Sequence, residues 1–192
     1  MFLGGPGGTG KSQVINALQT FFQRKGEDRH FCLATFTGVT VHNIKGTTLH
    51  AALGLNQQQK GNSAKVTQEL IAMWHGVDYL FIDEVSMIGC KFLLKIHQAL
   101  CIVKEKKSPF SGINIIFAGD FTQLLSVGDT RFCSKLNTHK QATNIGQNEM
   151  FGKLLWLSVN KCVMLDRNHE AVRPRKSDVC GTLTKVENWA VQ

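Results

Sequence analysis

The sequence GGPGGTGKS, at residues 4–12, has the residue types and spacing of a phosphate-binding loop. In the pattern GxxxxGKS, glycines allow consecutive backbone N–H groups to turn toward the phosphates of a nucleotide, and a helix begins at the end of the loop. Lys11 would contact the β- and γ-phosphate oxygens as a cation, and the Ser12 hydroxyl would ligate Mg²⁺. A chance glycine-rich turn is the alternative. The predicted nucleotide-binding residues are Gly5, Pro6, Gly7, Gly8, Thr9, Gly10, Lys11 and Ser12.

Two adjacent acids follow an apolar segment in YLFIDEVSM, at residues 79–87. Because this segment has the pattern of a buried strand, we expect Asp83 to lie at the carboxyl edge of a sheet, where it can hold Mg²⁺ through water. Glu84 is then placed to orient and deprotonate an attacking water, which favours hydrolysis over transfer to a small acceptor. The alternative is a pair of solvated carboxylates after a core strand.

Two further segments carry polar residues after predicted strands. In IIFAGDFTQL, at residues 115–124, Asp120 and Gln123 follow the strand, and the Gln123 amide could respond to loss of the γ-phosphate. Plain loop capping is the alternative there. In TFTGVTVHNIKGTTLH, at residues 35–50, hydroxyls and glycines together with Lys45 and His50 could donate hydrogen bonds to a strand of phosphates. A connecting loop explains this second segment equally well.

Apolar strands that alternate with helical patterns are predicted to position these motifs. Strands are expected at residues 1–4, 30–36, 77–83, 113–120 and 160–166, and helices at residues 11–26, 64–74, 86–105 and 151–159. Strands that are apolar throughout are typical of a parallel sheet that is covered on both faces. The predicted fold class is therefore α/β, with a mainly parallel sheet between two layers of helices.

The chain is predicted to form one domain. Its 192 residues are enough for one well-packed core, which we assign to residues 1–166. A small insertion is expected near residues 54–64 and a surface loop at residues 126–150, because the periodic patterns lapse there. Residues 167–192 show no convincing period and are predicted to form an irregular tail.

The charge balance favours an acidic partner. Lys and Arg outnumber Asp and Glu by 22 to 14, which gives a formal net charge of +8 and is typical of proteins that bind nucleic acid. The six cysteines form no CxxC pair, which indicates neither a zinc site nor a disulfide framework. No apolar run approaches the length of a membrane span and no segment has the pattern of a secretory signal, so we expect an intracellular protein without a membrane partner.

Taken together and in this order, the four motifs resemble the first, Ia, second and third motifs of Pif-type helicases. These helicases form the Pif/RecD-like branch of superfamily one, which includes the helicase parts of Helitron transposons. The resemblance implies a P-loop NTPase with a RecA-like fold, in which ATP is bound between two such domains. It also implies that ATP hydrolysis is coupled to 5′-to-3′ movement on single-stranded DNA. This chain resembles the first domain only, so we expect it to end before the second.

The resemblance also implies roles for individual residues. Lys11 and Ser12 correspond to the phosphate and Mg²⁺ contacts, and Asp83 and Glu84 correspond to the metal and base carboxylates. Gln123 corresponds to the sensor of the γ-phosphate. Residues that match positions near the DNA backbone are Thr37, Gly38 and His50. For the whole protein, the resemblance implies a monomeric nuclear helicase, with the mitochondrion as the alternative, in DNA repair, recombination and telomere maintenance.

The chain departs from the family pattern at three places. Relatives usually carry a segment before the phosphate loop with a glutamine that contacts adenine, whereas this chain starts at Met1. The family sequence QLPPV is QLLSV here, so Leu125 and Ser126 replace two stiff prolines and loosen the loop. Glu170 stands at the position of an arginine that approaches the γ-phosphate, where a carboxylate would repel phosphate oxygens.

Three other functions stay open at this point. A degenerate remnant would bind ATP without unwinding DNA, a small P-loop phosphotransferase would act on a metabolite, and a basic nucleic-acid binder would keep only a vestigial nucleotide site. The paired acids and the lack of an arginine-rich lid in the sequence count against the phosphotransferase. We therefore predict an ATP hydrolase and DNA helicase domain that uses ATP and Mg²⁺ and binds single-stranded DNA.

Overall fold

A computed structural model describes the chain at residues 1–38, 46–55, 63–123, 126, 128–135 and 142–166. Within residues 63–67 it describes the backbone alone. Several predictions concern residues outside these ranges and stay predictions. They involve Lys45, Leu125, Glu170, the tail at 167–192 and most of the insertion expected near 54–64.

Among the residues described, six strands form one sheet. They are β1 (Phe2–Gly4), β2 (Phe31–Thr35), β3 (Thr47–Thr48), β4 (Tyr79–Asp83), β5 (Asn114–Gly119) and β6 (Cys162–Met164). Their order across the sheet is β3-β2-β4-β5-β1-β6, and every pairing is parallel. The α/β class predicted from the sequence is confirmed. Because parallel neighbours end at the same edge, the loops after β1, β2, β4 and β5 meet at the carboxyl edge of the sheet.

Helices cover both faces of this sheet. They are α1 (Lys11–Lys25), α2 (Leu49–Ala52), α3 (Ser63–Trp74), α4 (Cys90–Lys104) and α5 (Asn144–Leu157). On one face, α1 packs on a small apolar cluster that includes Ile15, Leu33 and Phe81. On the other face, α3, α4 and α5 pack on a larger cluster that includes Leu80 and Ile82. Successive residues of β4 therefore point to opposite faces, as the alternation along a strand requires.

Helix α5 begins inside the segment that the sequence predicts to be a surface loop up to residue 150. Its first residue is Asn144, and the Thr143 hydroxyl caps it by accepting a hydrogen bond from the Gly146 N–H at 3.2 Å. Apolar residues lie on several sides of this helix, since Leu154 is exposed whereas Trp156, on the opposite side, packs on the core. A helix of this kind shows no clear hydrophobic period in its sequence. This explains why the sequence predicts its start at residue 151, whereas the helix begins at Asn144.

Two short elements, β3 and α2, were not predicted from the sequence. The Thr48 hydroxyl accepts a hydrogen bond from the Ala51 N–H at 3.2 Å and so caps α2. Elements of two and four residues are too short for a hydrophobic period to reveal them. They matter because His50 lies on α2.

None of the helices in the described part of the chain is long and apolar enough to cross a membrane.

The half-buried His97 of α4 leads to a prediction about the pH dependence of stability. Its Nδ1 accepts a hydrogen bond from the Phe110 N–H at 3.1 Å, and the two rings lie 5.8 Å apart. Burial lowers the pKa of His97. The unfolded chain therefore binds a proton at a pH at which the folded protein does not. We predict that the free energy of unfolding falls as the pH is lowered through the ordinary histidine range.

Denaturant unfolding across this pH range measures the effect. We expect His97→Gln, which keeps a hydrogen-bond acceptor but cannot titrate, to flatten the dependence on pH. His75→Gln removes an exposed histidine and serves as the matched control, which should behave like the unchanged protein. A dependence on pH that is the same in His97→Gln as in the unchanged protein would contradict this assignment.

Candidate functional site

The predicted phosphate loop connects β1 to α1 at the carboxyl edge of the sheet. Gly10 has a φ of 94°, a left-handed conformation that glycine adopts without strain, and α1 begins directly after it. A Cβ on Gly5 would lie 2.5 Å from the Leu165 carbonyl oxygen, so only glycine fits there. The Thr9 hydroxyl is buried and donates a hydrogen bond to the Pro6 carbonyl at 2.8 Å. These contacts fix the shape of the loop that leads into the helix.

Lys11 provides the positive charge at this end of α1. Its ammonium donates hydrogen bonds to the Gly5 carbonyl at 2.5 Å and to the Pro6 carbonyl at 2.8 Å. The first turn of α1 contains no acidic residue, so no carboxylate neutralises the positive end of the helix dipole. A lysine and a helix N-terminus that lie together on a glycine-rich loop suit the phosphates of a nucleotide.

Asp83, the predicted metal carboxylate, ends β4 and is only 8% exposed. Its Oδ1 accepts a hydrogen bond from the Glu84 N–H at 2.9 Å. Burial raises the pKa of Asp83, and this effect outweighs the Glu84 N–H and the Lys11 charge, which act in the opposite direction. A carboxylate that is so poorly solvated gains much from a nearby cation. Asp83 is therefore well placed to hold a metal ion.

Glu84, the predicted general base, has a strained backbone. Its φ of 58° and ψ of 41° lie in the left-handed region, which costs a residue other than glycine about 1 kcal/mol or more. Burial and the neighbouring Asp83 charge raise the pKa of the Glu84 carboxyl, while Lys11 lowers it. A raised pKa moves a carboxylate toward the range of an effective general base. Backbone strain of this kind is frequent at functional sites, which fits the role predicted for Glu84.

The turn after β5 brings Gln123 to the phosphate loop. The Asp120 carboxylate accepts hydrogen bonds from the Thr122 hydroxyl at 2.7 Å and the Thr122 N–H at 2.9 Å, and these bonds lower the pKa of Asp120. The Gln123 N–H donates to the Asp120 carbonyl at 3.2 Å and closes the turn. The side-chain nitrogen of Gln123 lies 3.4 Å from the position that a Cβ on Gly7 would take. This exposed amide is thus next to the loop predicted to hold the phosphates.

The oxygen atoms at this edge fit a magnesium ion. Thr35 is paired with Asp83 in the register of β2 and β4, so both side chains lie on the same face of the sheet. The Thr35 hydroxyl is buried and has no hydrogen-bond partner among the described residues. Together with the Ser12 hydroxyl at the start of α1, these groups are hard donors of the kind that Mg²⁺ prefers. In the ranges that the structure describes, no group of three or more His, Cys, Asp or Glu residues is arranged to hold a metal ion by itself.

The residues predicted to lie near DNA follow β2 and begin α2. Thr37 is half-buried and Gly38 is exposed, and a Cβ on Gly38 would meet nothing within 4 Å. The half-buried His50 ring lies 5.9 Å from the Phe36 ring. Strand β2 is the direct neighbour of β4, which carries Asp83, whereas β4 and β5 separate β2 from β1 and the phosphate loop. These residues therefore lie on the side of the acid pair that is away from the phosphate loop.

Sequence reasoning missed Asp129, which connects two of the motifs. Its Oδ2 accepts a hydrogen bond from the Phe92 N–H at 2.9 Å, and its Oδ1 accepts bonds from the Lys91 N–H at 3.2 Å and the Thr130 N–H at 2.7 Å. These bonds cap α4, which follows the acid pair, with a residue from the segment after Gln123. The pair GD at residues 128–129 signals only a turn, because the helix that it caps is distant in sequence.

Known proteins resemble this chain in sequence. The sequence model of PIF1-like helicases matches residues 1–186. The ATP-dependent DNA helicase PIF1 of Xenopus laevis is 32% identical over 146 residues, which cover 69% of this chain and 22% of that protein. The ATP-dependent DNA helicase PIF1 of Mus musculus is 33% identical over 132 residues, which cover 65% of this chain and 19% of that protein. The chain thus spans about a fifth of the length of these relatives.

Solved structures resemble the chain in fold. Pif1 helicase from Bacteroides in complex with ADP-AlF3 and ssDNA matches with a TM-score of 0.64 and 25% sequence identity, and the match covers 87% of this chain and 38% of that one. Pif1 helicase from Candida albicans matches with a TM-score of 0.62 and 21% identity over 87% of this chain and 36% of that one. These similarities confirm the predicted RecA-like fold.

The strained backbone of Glu84 leads to a testable prediction. We expect Glu84→Asn to raise the free energy of unfolding by about 1 kcal/mol relative to Glu84→Gln, because asparagine tolerates the left-handed region better. Both variants remove the carboxylate, so the comparison isolates the preference of the backbone. Denaturant unfolding of the two variants measures the difference. Equal stability of the two would show that the φ of Glu84 stores no strain.

Proposed function

Because this chain belongs to the PIF1-like helicase family, we propose that it is the ATP-binding first motor domain of a Pif-type, ATP-dependent DNA helicase. One observation carries the proposal above all others. Lys11 lies on the phosphate loop, and its charge acts to lower the pKa of both Asp83 and Glu84 against the larger effect of burial. A phosphate-binding lysine beside two acids at a strand end is the arrangement that hydrolysis of a nucleoside triphosphate requires.

Backbone groups and side chains of the proposed nucleotide site have separate tasks. The backbone of residues 5–10 and the Lys11 ammonium hold the β- and γ-phosphates. The Ser12 hydroxyl and the Asp83 carboxylate hold Mg²⁺, and Thr35, the partner of Asp83 in the sheet register, offers a further buried hydroxyl. When bound, the metal ion neutralises charge on the phosphates. The pairing of hard oxygen donors on one face of the sheet supports this assignment.

Glu84 and Gln123 act on the water and the γ-phosphate. The Glu84 carboxylate accepts a proton from the attacking water, and its raised pKa makes it a better base than an ordinary glutamate. The Gln123 amide, next to Gly7, contacts the γ-phosphate and loses that contact after hydrolysis. The hydrogen bonds that Thr122 donates to the Asp120 carboxylate support this role, because they fix the start of the turn that carries the Gln123 amide.

Single-stranded DNA is the proposed polymer. The excess of basic residues and the exposed backbone at Gly38 support contacts from Thr37, Gly38 and His50 to its phosphates.

We propose that residues 1–166 form the motor domain and that residues 167–192 lead out of it. Movement in the 5′-to-3′ direction and strand separation require the second motor domain as a partner. We expect the whole helicase to act as a monomer in the nucleus, with the mitochondrion as the alternative, in repair, recombination and telomere maintenance.

ATP turnover by the chain, measured with and without single-stranded DNA, tests the proposal. We expect hydrolysis that DNA stimulates. Lys11→Ala should weaken ATP binding by about tenfold or more, because it removes charged hydrogen bonds to phosphate. Glu84→Gln should leave binding intact and lower turnover by about a hundredfold or more, the usual contribution of a general base. Lys25→Ala, in the last turn of α1, is the matched lysine control and should change neither quantity.

Other outcomes would favour the alternative functions. Tight ATP binding without turnover, in the presence and absence of DNA, would indicate a degenerate remnant. Transfer of phosphate to a small acceptor without a response to DNA would indicate a phosphotransferase. DNA binding without ATP binding would indicate a basic nucleic-acid binder with a vestigial nucleotide site. Each of these results would overturn the helicase proposal for this chain.

A further inference from the structure

A surface cavity lies between α4, α2 and residues 128–129, and its lining extends beyond the four motifs to side chains of α4 and α5. Its volume is about 400 Å³, which is in the range of pockets that hold small organic groups. One wall consists of three half-buried aromatic rings, those of Phe36, His50 and Phe92. The Phe92 ring lies 5.0 Å from the His50 ring and 5.4 Å from the Phe36 ring. This aromatic wall faces a cavity and is only partly covered by the core.

The rim of the cavity carries a positive charge without an acidic partner. Lys95 on α4 is exposed and forms no ion pair with the residues that the structure describes. Lys91, in contrast, lies 3.9 Å from carboxylate oxygens of both Asp129 and Glu149. The Asp129 oxygens already accept backbone N–H groups at the start of α4. Lys95 is therefore the cation on this rim that is available to a ligand.

Amide side chains complete the rim. Gln98 on α4 and Asn148 on α5 line the cavity, and both residues are exposed. Side-chain amides both donate and accept hydrogen bonds, which suits the polar edge of a nucleobase. Aromatic faces, a cation and amides together are the groups that bind a nucleotide unit of a single strand, through stacking on the base and contact with the phosphate.

We propose that this cavity binds a base of single-stranded DNA against the aromatic wall, with a neighbouring phosphate on Lys95. The inference rests on the proposed function and extends it from the DNA backbone to the bases. Phe36 directly precedes Thr37 and Gly38, so a strand whose phosphates contact those residues lies at the mouth of the cavity. This proposal assigns DNA contacts to three residues of α4 that lie outside the sequence motifs, Phe92, Lys95 and Gln98.

The test compares two probes of equal length and charge, a thymidine oligomer and an abasic oligomer, by fluorescence anisotropy. We expect the unchanged chain to bind the thymidine oligomer about tenfold more tightly, the usual effect of stacking one base on an aromatic side chain. Phe92→Leu keeps an apolar side chain against the core but removes the aromatic face. It should weaken binding of the thymidine oligomer by about tenfold and leave binding of the abasic oligomer unchanged.

Two further variants act as controls. Phe21→Leu makes the same chemical change at an exposed position of α1, on the opposite face of the sheet, and should bind both oligomers like the unchanged chain. Lys95→Gln should weaken binding of both oligomers by the same factor, and this factor should shrink as salt rises, because the contact is to phosphate. Thermal unfolding of each variant, followed by circular dichroism, confirms that it is folded.

The outcomes separate this inference from the proposed function. Equal affinity of the unchanged chain for the two oligomers, or an equal loss for both in Phe92→Leu, would overturn the base-binding cavity while DNA binding stands. Failure of the folded chain to bind either oligomer would overturn the cavity and the proposed DNA partner together. A loss of affinity for the thymidine oligomer only, in Phe92→Leu but not in Phe21→Leu, would support the inference.

Discussion

The charge of one lysine acts on two partly or fully buried carboxylates at the carboxyl edge of a parallel sheet, and the proposed function depends on this interaction. Burial raises the pKa of both Asp83 and Glu84, and the charge of Lys11 acts in the opposite direction on both. Lys11 provides that charge from the start of α1, where two loop carbonyls hold its ammonium. The parallel order of β4, β5 and β1 is what brings these residues together from distant parts of the sequence.

Local patterns in the sequence were enough to predict the central fold. The glycine spacing gave the phosphate loop, and the apolar runs that end at Gly4, Asp83 and Gly119 gave three parallel strands. Features that depend on distant partners were not predicted. The capping of α4 by Asp129 and the placement of Thr35 beside Asp83 arise only when the sheet forms. Local backbone geometry was also missed, because no pattern distinguishes the left-handed conformation of Glu84 from an ordinary strand end.

Helix α4 lies between the proposed nucleotide site and the aromatic cavity. It follows the acid pair after one short turn, and Asp129, from the segment after Gln123, holds its first residues. The same first turn carries Phe92, which faces the cavity.

Binding of ATP and Mg²⁺ at the sheet edge is tested most directly by calorimetric titration of ATP into the folded chain, once with Mg²⁺ and once with EDTA. The positions of Lys11 and Asp83 predict saturable binding at one site in both titrations, with higher affinity when Mg²⁺ is present. If both titrations of folded protein gave no heat of binding, or if Mg²⁺ made no difference to the affinity, the site would not be the one described by these residues.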